Sequence, residues 1–169
     1  LTAVNGGAGG NLVFTGGEVD PETLRTLQRI GFKSPQTVDA TVRGWHHGRY
    51  RATHSNRARE LLTELMPLLL KEIAHTPDAD ATLMAFDRFL AGLPAGVQLF
   101  SMFHANPELL ALVVKILGFG PGMADALAGR PAVLERVISD PDFFRPLPHL
   151  ADLEAELGAG LARAGDWEE

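Results

Sequence analysis

The side chains able to do chemistry in this 169-residue sequence are six histidines, a serine followed by two acids and a run of arginines. His46, His47 and His54 fall in one region, but two adjacent residues and a third seven positions on match neither a helical i, i+4 metal pair nor the usual zinc spacing. They read as solvated or interface residues. His75, His104 and His149 stand alone, with no carboxylate pair close to them in sequence. Ser139-Asp140-Pro141-Asp142 puts a serine beside two carboxylates and so suggests metal-assisted phosphoryl chemistry. Two-metal transfer, however, needs carboxylates held on a rigid element. Here the first acid precedes proline and no strand pattern carries either, so the segment reads as a helix end and turn. Gly6-Gly7-Ala8-Gly9-Gly10 lacks the Lys-Ser/Thr or the spaced glycines of a phosphate-cradling loop. The absence of cysteine removes disulfides, thiolate nucleophiles and cysteine zinc sites, and suits a reducing cytosol. No catalytic, cofactor-binding or metal residue is assigned.

The arginines are more suggestive. Arg43, Arg49, Arg51, Arg57 and Arg59 occur between Asp39 and Glu60 with no acid among them, and Trp45 and Tyr50 are interleaved. Guanidinium forks beside aromatic rings suit carboxylate or phosphate recognition. Trp45, Arg49, Tyr50, Arg51, Arg57 and Arg59 are therefore the candidate interface, facing an acidic partner. The competing reading is a joint between helices whose arginines pair with Asp152, Glu154 and Glu156. A net charge of −6 argues against general binding to nucleic acid or to an anionic membrane.

The elements that must position these residues are helical. Asp20-Pro21, Ser34-Pro35, Asn106-Pro107 and Arg130-Pro131 place proline at a first helical position, three of them behind a capping side chain. Gly31 should end the first helix. A second helix is expected from Pro35 to near Trp45, and a long one from Arg57 to Ile73. In the long helix Leu61, Leu62, Leu65, Leu68, Leu69 and Ile73 should face inward, with Pro67 introducing a kink. Asp78 or Asp80 should cap a helix ending near Gly92. Shorter helices are expected over about 96–105, from Asn106 to Gly118, over 122–128, 131–138 and 149–164, with Phe143-Phe144 and Pro146 interrupting the last two. Phe86, Phe89, Leu90 and Leu93, then Val97, Phe100 and Phe103, form apolar faces at helical spacing. Leu12-Val13-Phe14-Thr15 looks extended but lacks a visible partner strand.

The expected architecture is all-α, a multi-helix bundle or stacked helical array behind a flexible Gly-rich N-terminal tail. Residues 1–19 form the lead-in and 20–169 a helical domain, with sub-bundles at 20–105 and 106–169. The content of 46% hydrophobic residues is enough for a buried core. No apolar run reaches the roughly 18 residues of a membrane span, and no export signal is visible. Leu1 in place of an initiator methionine points to a piece of a longer protein.

Several separated motifs occur in one order: Gly31-Phe32, Trp45-His46-His47-Gly48-Arg49-Tyr50-Arg51-Ala52, Arg57-Ala58-Arg59-Glu60-Leu61-Leu62 and Leu65-Met66-Pro67. Phe86-Asp87-Arg88-Phe89-Leu90, Gly96-Val97-Gln98-Leu99-Phe100 and Asn106-Pro107-Glu108-Leu109-Leu110 follow. Together, over roughly residues 12–148, they resemble the central helical region of bacterial glutamine synthetase adenylyltransferases. The resemblance implies a two-headed cytoplasmic enzyme that attaches AMP from ATP to a tyrosine of glutamine synthetase and removes it by phosphorolysis. It also implies Mg²⁺ at each nucleotidyltransferase head and control by glutamine and the PII protein. The heads' Gly-Ser-x-x-Asp-x-Asp signature is missing from this sequence, so the resemblance implies a non-catalytic connector between flanking nucleotidyltransferase domains. It binds neither Mg²⁺ nor ATP itself, and glutamine synthetase and PII are its potential partners.

Overall fold

A computed structural model describes residues 12–14, 16–120, 122–130, 132, 133, 136 and 140. Among them the chain forms α1 (Pro21–Ile30), α2 (Pro35–His46), a 3-10 turn (Arg51–Thr53), α3 (Asn56–Ala74), α4 (Ala79–Gly92), α5 (Val97–Ala105), α6 (Pro107–Leu117) and α7 (Gly122–Ala128). No β-sheet is formed among these residues, so the all-α expectation holds.

The helix starts divide into two kinds. Asp20 accepts hydrogen bonds from the Glu22 and Thr23 N–H groups at 3.3 and 3.1 Å, Ser55 from Ala58 at 3.1 Å, and Asp78 from Ala81 at 3.0 Å. These satisfy donors that a first helical turn leaves unpaired. Ser34 and Asn106, expected to cap in the same way, make no side-chain cap bond. At Ser34 the binding comes from a distance: the Asp80 carboxylate accepts from the Lys33 and Ser34 N–H groups, both at 2.9 Å. Asp80 thereby ties the α1–α2 turn to the start of α4. Gly31 ends α1 at φ 125°, where L side chains are strained, and the Phe32 N–H reaches back to the Leu27 carbonyl at 3.1 Å.

The long helix α3 lies at the centre, packed against α4, α5 and α6, while α4 also carries α7. Its buried stripe is Leu61, Leu62, Leu65, Met66, Leu69, Leu70 and Ile73. Leu68 is only half-buried, whereas Met66 and Leu70 point inward, because neighbours on several sides widen the apolar face beyond a single stripe. The helix runs through Pro67 to Ala74. Phe86, Phe89, Leu90 and Leu93 are all buried as expected. On α5 the inward residues are Leu99, Phe100 and Phe103, and Val97 at the first helical position is exposed instead. Phe86 packs tilted against both Trp45 and Phe89, with ring centroids 5.6 and 5.9 Å apart. Burying an aromatic side chain of this size contributes about 1.5–3 kcal/mol.

Asn106 is at once the last cap of α5 and the first of α6, its side-chain amide donating to the Met102 carbonyl at 3.1 Å. The two helices meet there at 113°. With no loop between them, α6 stays against α3 and α5. By its contacts the chain divides into units Leu1–Leu134 and Glu135–Glu169. In the second, the Asp140 N–H donates to the Arg136 carbonyl at 3.1 Å. Phe14 is buried, so the lead-in is packed at that point. Residues Gly6–Gly10, Ser139, Asp142, the expected helix over 149–164 and the acids Asp152, Glu154 and Glu156 lie outside the described residues.

Candidate functional site

The arginine-rich segment is the connection from α2 to α3, and the structure sorts its cations by what each one holds. Arg43 is drawn inward, its Nε donating to Asp39 Oδ2 at 2.7 Å within the same helix. Arg59 donates to the carbonyls of Thr53 and His54 at 2.9 and 2.7 Å and to the Asn56 side chain, fastening the connection to the first turn of α3. Arg57 pairs with Glu60 at 3.2 Å on an exposed face, a contact worth little in water. Arg49 and Arg51 are exposed, and neither has a carboxylate partner among the described residues. The Arg49 guanidinium lies 5.4 Å from the centre of the Tyr50 ring, within cation–π range.

Trp45, one of the six interface candidates, is 0% exposed and forms part of the core. Its indole Nε1 donates to Asp87 Oδ1 at 2.8 Å, and the Tyr50 hydroxyl donates to Asp87 Oδ2 at 2.9 Å. Both oxygens of one carboxylate on α4 thus hold the two aromatics that flank the turn. Burial pushes the Tyr50 hydroxyl pKa above its ordinary 10.0, the bond to Asp87 and that residue's charge add to the rise, and Arg49 opposes it. Sequence reasoning missed Asp87. Its signal was an acid placed inside the apolar run Phe86–Leu90, where a carboxylate needs donors.

Two glycines let the connection fold this closely. Gly48 has φ 75°. A Cβ on Gly96 would lie 2.1 Å from the Ala52 carbonyl oxygen and 2.6 Å from a Phe100 ring carbon, so the 3-10 turn presses directly on the start of α5.

The histidines do not converge. His47 and His54 are exposed. His46 is half-buried and stacks at 6.3 Å on Phe14, and burial, with help from the nearby His47, Arg43 and Arg59 charges, pushes its pKa down to about 4. His104, isolated in sequence, lies 3.1 Å from Glu64 across the α5–α3 contact. Among the described residues, no three His, Asp or Glu side chains are grouped to hold a metal ion. A groove of about 440 Å³ runs between the end of α3 and α6, lined by Glu72, His75, Leu112, Lys115 and the exposed Phe119 among others. No single described helix is long and apolar enough to cross a membrane.

No protein-family model matches the chain, and no solved structure does either. Curated proteins match over almost its whole length. The chain is 49% identical over 164 residues to a bifunctional glutamine synthetase adenylyltransferase/adenylyl-removing enzyme of Brucella melitensis, which covers 97% of the chain and 17% of that relative. Proteins of the same name from Mesorhizobium japonicum, 49% identical over 160 residues, and Caulobacter vibrioides, 46% identical over 149, match 16% and 15% of their own lengths. The chain thus spans about one sixth of the relatives it matches, and on an identity this high and this continuous it belongs to the bifunctional glutamine synthetase adenylyltransferase/adenylyl-removing enzyme family as a segment of such a protein.

Proposed function

We propose that the chain is a non-catalytic helical connector of an enzyme that adenylylates and deadenylylates glutamine synthetase, lying between its two nucleotidyltransferase heads. The observation that carries this reading is the coverage: nearly the whole chain matches, over about one sixth of each relative. The use of its acids agrees with it. Asp20 and Asp78 cap helices, Asp39 holds Arg43, Asp80 ties a turn and Asp87 binds two aromatics. Each is spent on architecture. On this reading ATP and Mg²⁺ belong to the flanking heads, the enzyme works in the cytoplasm, and packed helices hold the heads in a fixed relation or relay the state of one to the other. The purified 169 residues, incubated with glutamine synthetase, labelled ATP and Mg²⁺, should transfer no AMP and remove none from the adenylylated protein. Transfer above a no-protein control overturns the reading.

A second reading is favoured by Arg49 and Arg51, which are exposed and have no carboxylate partner among the described residues. The α2–α3 connection docks an acidic surface, of glutamine synthetase or of PII, through Arg49 and Arg51, with Tyr50 between them and Arg57 and Arg59 behind. The double variant Arg49→Glu, Arg51→Glu should keep its melting temperature and lose affinity in calorimetry with those partners. Unchanged affinity removes this reading and leaves the connector standing.

A further inference from the structure

Three elements converge on Arg43, and its hydrogen bonds are distributed unevenly. The Nε atom donates to Asp39 Oδ2 at 2.7 Å, while Nη1 donates to the Gly16 carbonyl and Nη2 to the Val13 carbonyl at 3.4 Å. The guanidinium therefore faces α2 with one edge and the N-terminal segment with the other. Val13 is also held on its N–H, which donates to Thr23 Oγ1 at 2.9 Å, and Thr23 Oγ1 donates in turn to Asp20 Oδ2 at 2.8 Å. Phe14 is 5% exposed and stacks on His46 at an interplanar angle of 28°. Val13, Phe14 and Gly16 thus lie as an extended strap across α1 and α2.

One atom lacks a partner in this arrangement. Asp39 Oδ1 is buried and accepts no hydrogen bond among the described residues, although a buried carboxylate oxygen without a donor is costly. The donors that would satisfy it are on the same guanidinium, occupied by the strap. A guanidinium and a carboxylate one helical turn apart have a second arrangement, the side-on fork in which Nε and an Nη bind both oxygens.

We propose that Arg43 and Asp39 form a two-position latch for the segment that enters the helices. In the latched position, seen here, Arg43 holds the strap carbonyls and leaves Asp39 Oδ1 unsatisfied. In the released position the strap lifts, Phe14 leaves His46, and the guanidinium swings to fork both Asp39 oxygens. Satisfying the buried oxygen offsets the bonds lost to the strap, while release also gives up the burial of Phe14 and the Val13–Thr23 bond, so the latched position is the major state and the released one the minor. Val13, Phe14 and Gly16 lead into α1, so the latch determines whether these residues are held against α2 or lifted from it. The inference rests on the geometry at Arg43 and stands apart from the connector reading.

The test is amide exchange and side-chain NMR on the full chain. In the unmodified protein the Val13 amide should exchange at least tenfold faster than those of Val42 and Trp45, because the strap opens while α2 stays folded. In Phe14→Ala the Val13 amide should speed up a further tenfold, Val42 and Trp45 should not change, and the Arg43 Nη signals should stay ordered on Asp39. Arg43→Lys, which keeps the charge and loses the fork, should release Val13 with α2 still protected. The latch is overturned if Val13 and the α2 amides exchange together in all three proteins. It is equally overturned if the Arg43 guanidinium in Phe14→Ala becomes as mobile as that of exposed Arg51.

Discussion

The Trp45 indole N–H donates to Asp87 Oδ1 at 2.8 Å, joining the last turn of α2 to the middle of α4. The other oxygen of that carboxylate takes the Tyr50 hydroxyl at 2.9 Å, so one acid sets both ends of the turn that presents Arg49. Removing the acid and removing one donor should have unequal effects. Asp87→Ala leaves a fully buried indole N–H without an acceptor and should cost about 2–3 kcal/mol, whereas Tyr50→Phe should cost about 1 kcal/mol. Thermal unfolding of the two variants and their combination checks this, at roughly 2–4 °C per kcal/mol for a chain of this size. Losses that simply add would show that the two bonds do not share the carboxylate's energetics.

Gly96→Ala should be among the most damaging single-methyl additions in the chain. Its Cβ would overlap the Ala52 carbonyl and the Phe100 ring, both fully buried. A loss of about 2–3 kcal/mol in urea unfolding is expected, in the range of overpacking a tight site. Gly17→Ala, where nothing lies within 4 Å, is the matched control and should change little.

Stability should fall as the medium is acidified through the window set by His46. The unfolded imidazole takes a proton near 6.5 and the folded one only near 4, so between those values the unfolded chain binds the extra proton and is favoured as pH drops. Allowing for partial solvent screening, the loss is about 2 kcal/mol. His46→Gln, which cannot titrate, should flatten the dependence between pH 6.5 and 4. The Asp20 carboxyl, held below its ordinary value by the Thr23 hydroxyl first, acts in a separate window below about pH 3.8. Urea titrations at stepped pH separate the two.

Asp80→Ala should loosen the α1–α2 turn more than the start of α4, because both carboxylate oxygens are used on Lys33 and Ser34. Faster exchange of those two amides, with a global loss of about 1–2 kcal/mol, is the expected result. Asp78→Ala should instead fray α4, since Asp78 caps Ala81.

The helices were legible because proline starts, glycine stops and helical apolar spacing are local signals. Pro21, Gly31, Pro35, Pro107 and the Phe86–Leu93 face all fall where those rules place them. What could not be read was contact at a distance. Asp80 looked like a second cap beside Asp78, but its partners lie 46 and 47 residues earlier. Trp45 looked like an interface aromatic among arginines, and its burial depends on Phe86 and Asp87, forty residues away. Val13 and Phe14 lacked a visible strand partner because what binds them is a set of side chains, Thr23, Arg43 and His46.

Asn106, shared by α5 and α6, makes chain length at that point part of the fold. One inserted residue would lengthen the helical path by about 1.5 Å and turn everything after it by about 100°. Leu109, Leu110, Val113, Val114 and Leu117 would then rotate away from the core they fill. Among natural relatives, gains and losses of residues should therefore avoid this corner and collect where the backbone is open, as at Gly17 and Gly120, leaving the spacing from Phe100 to Leu117 constant while the sequence around it drifts.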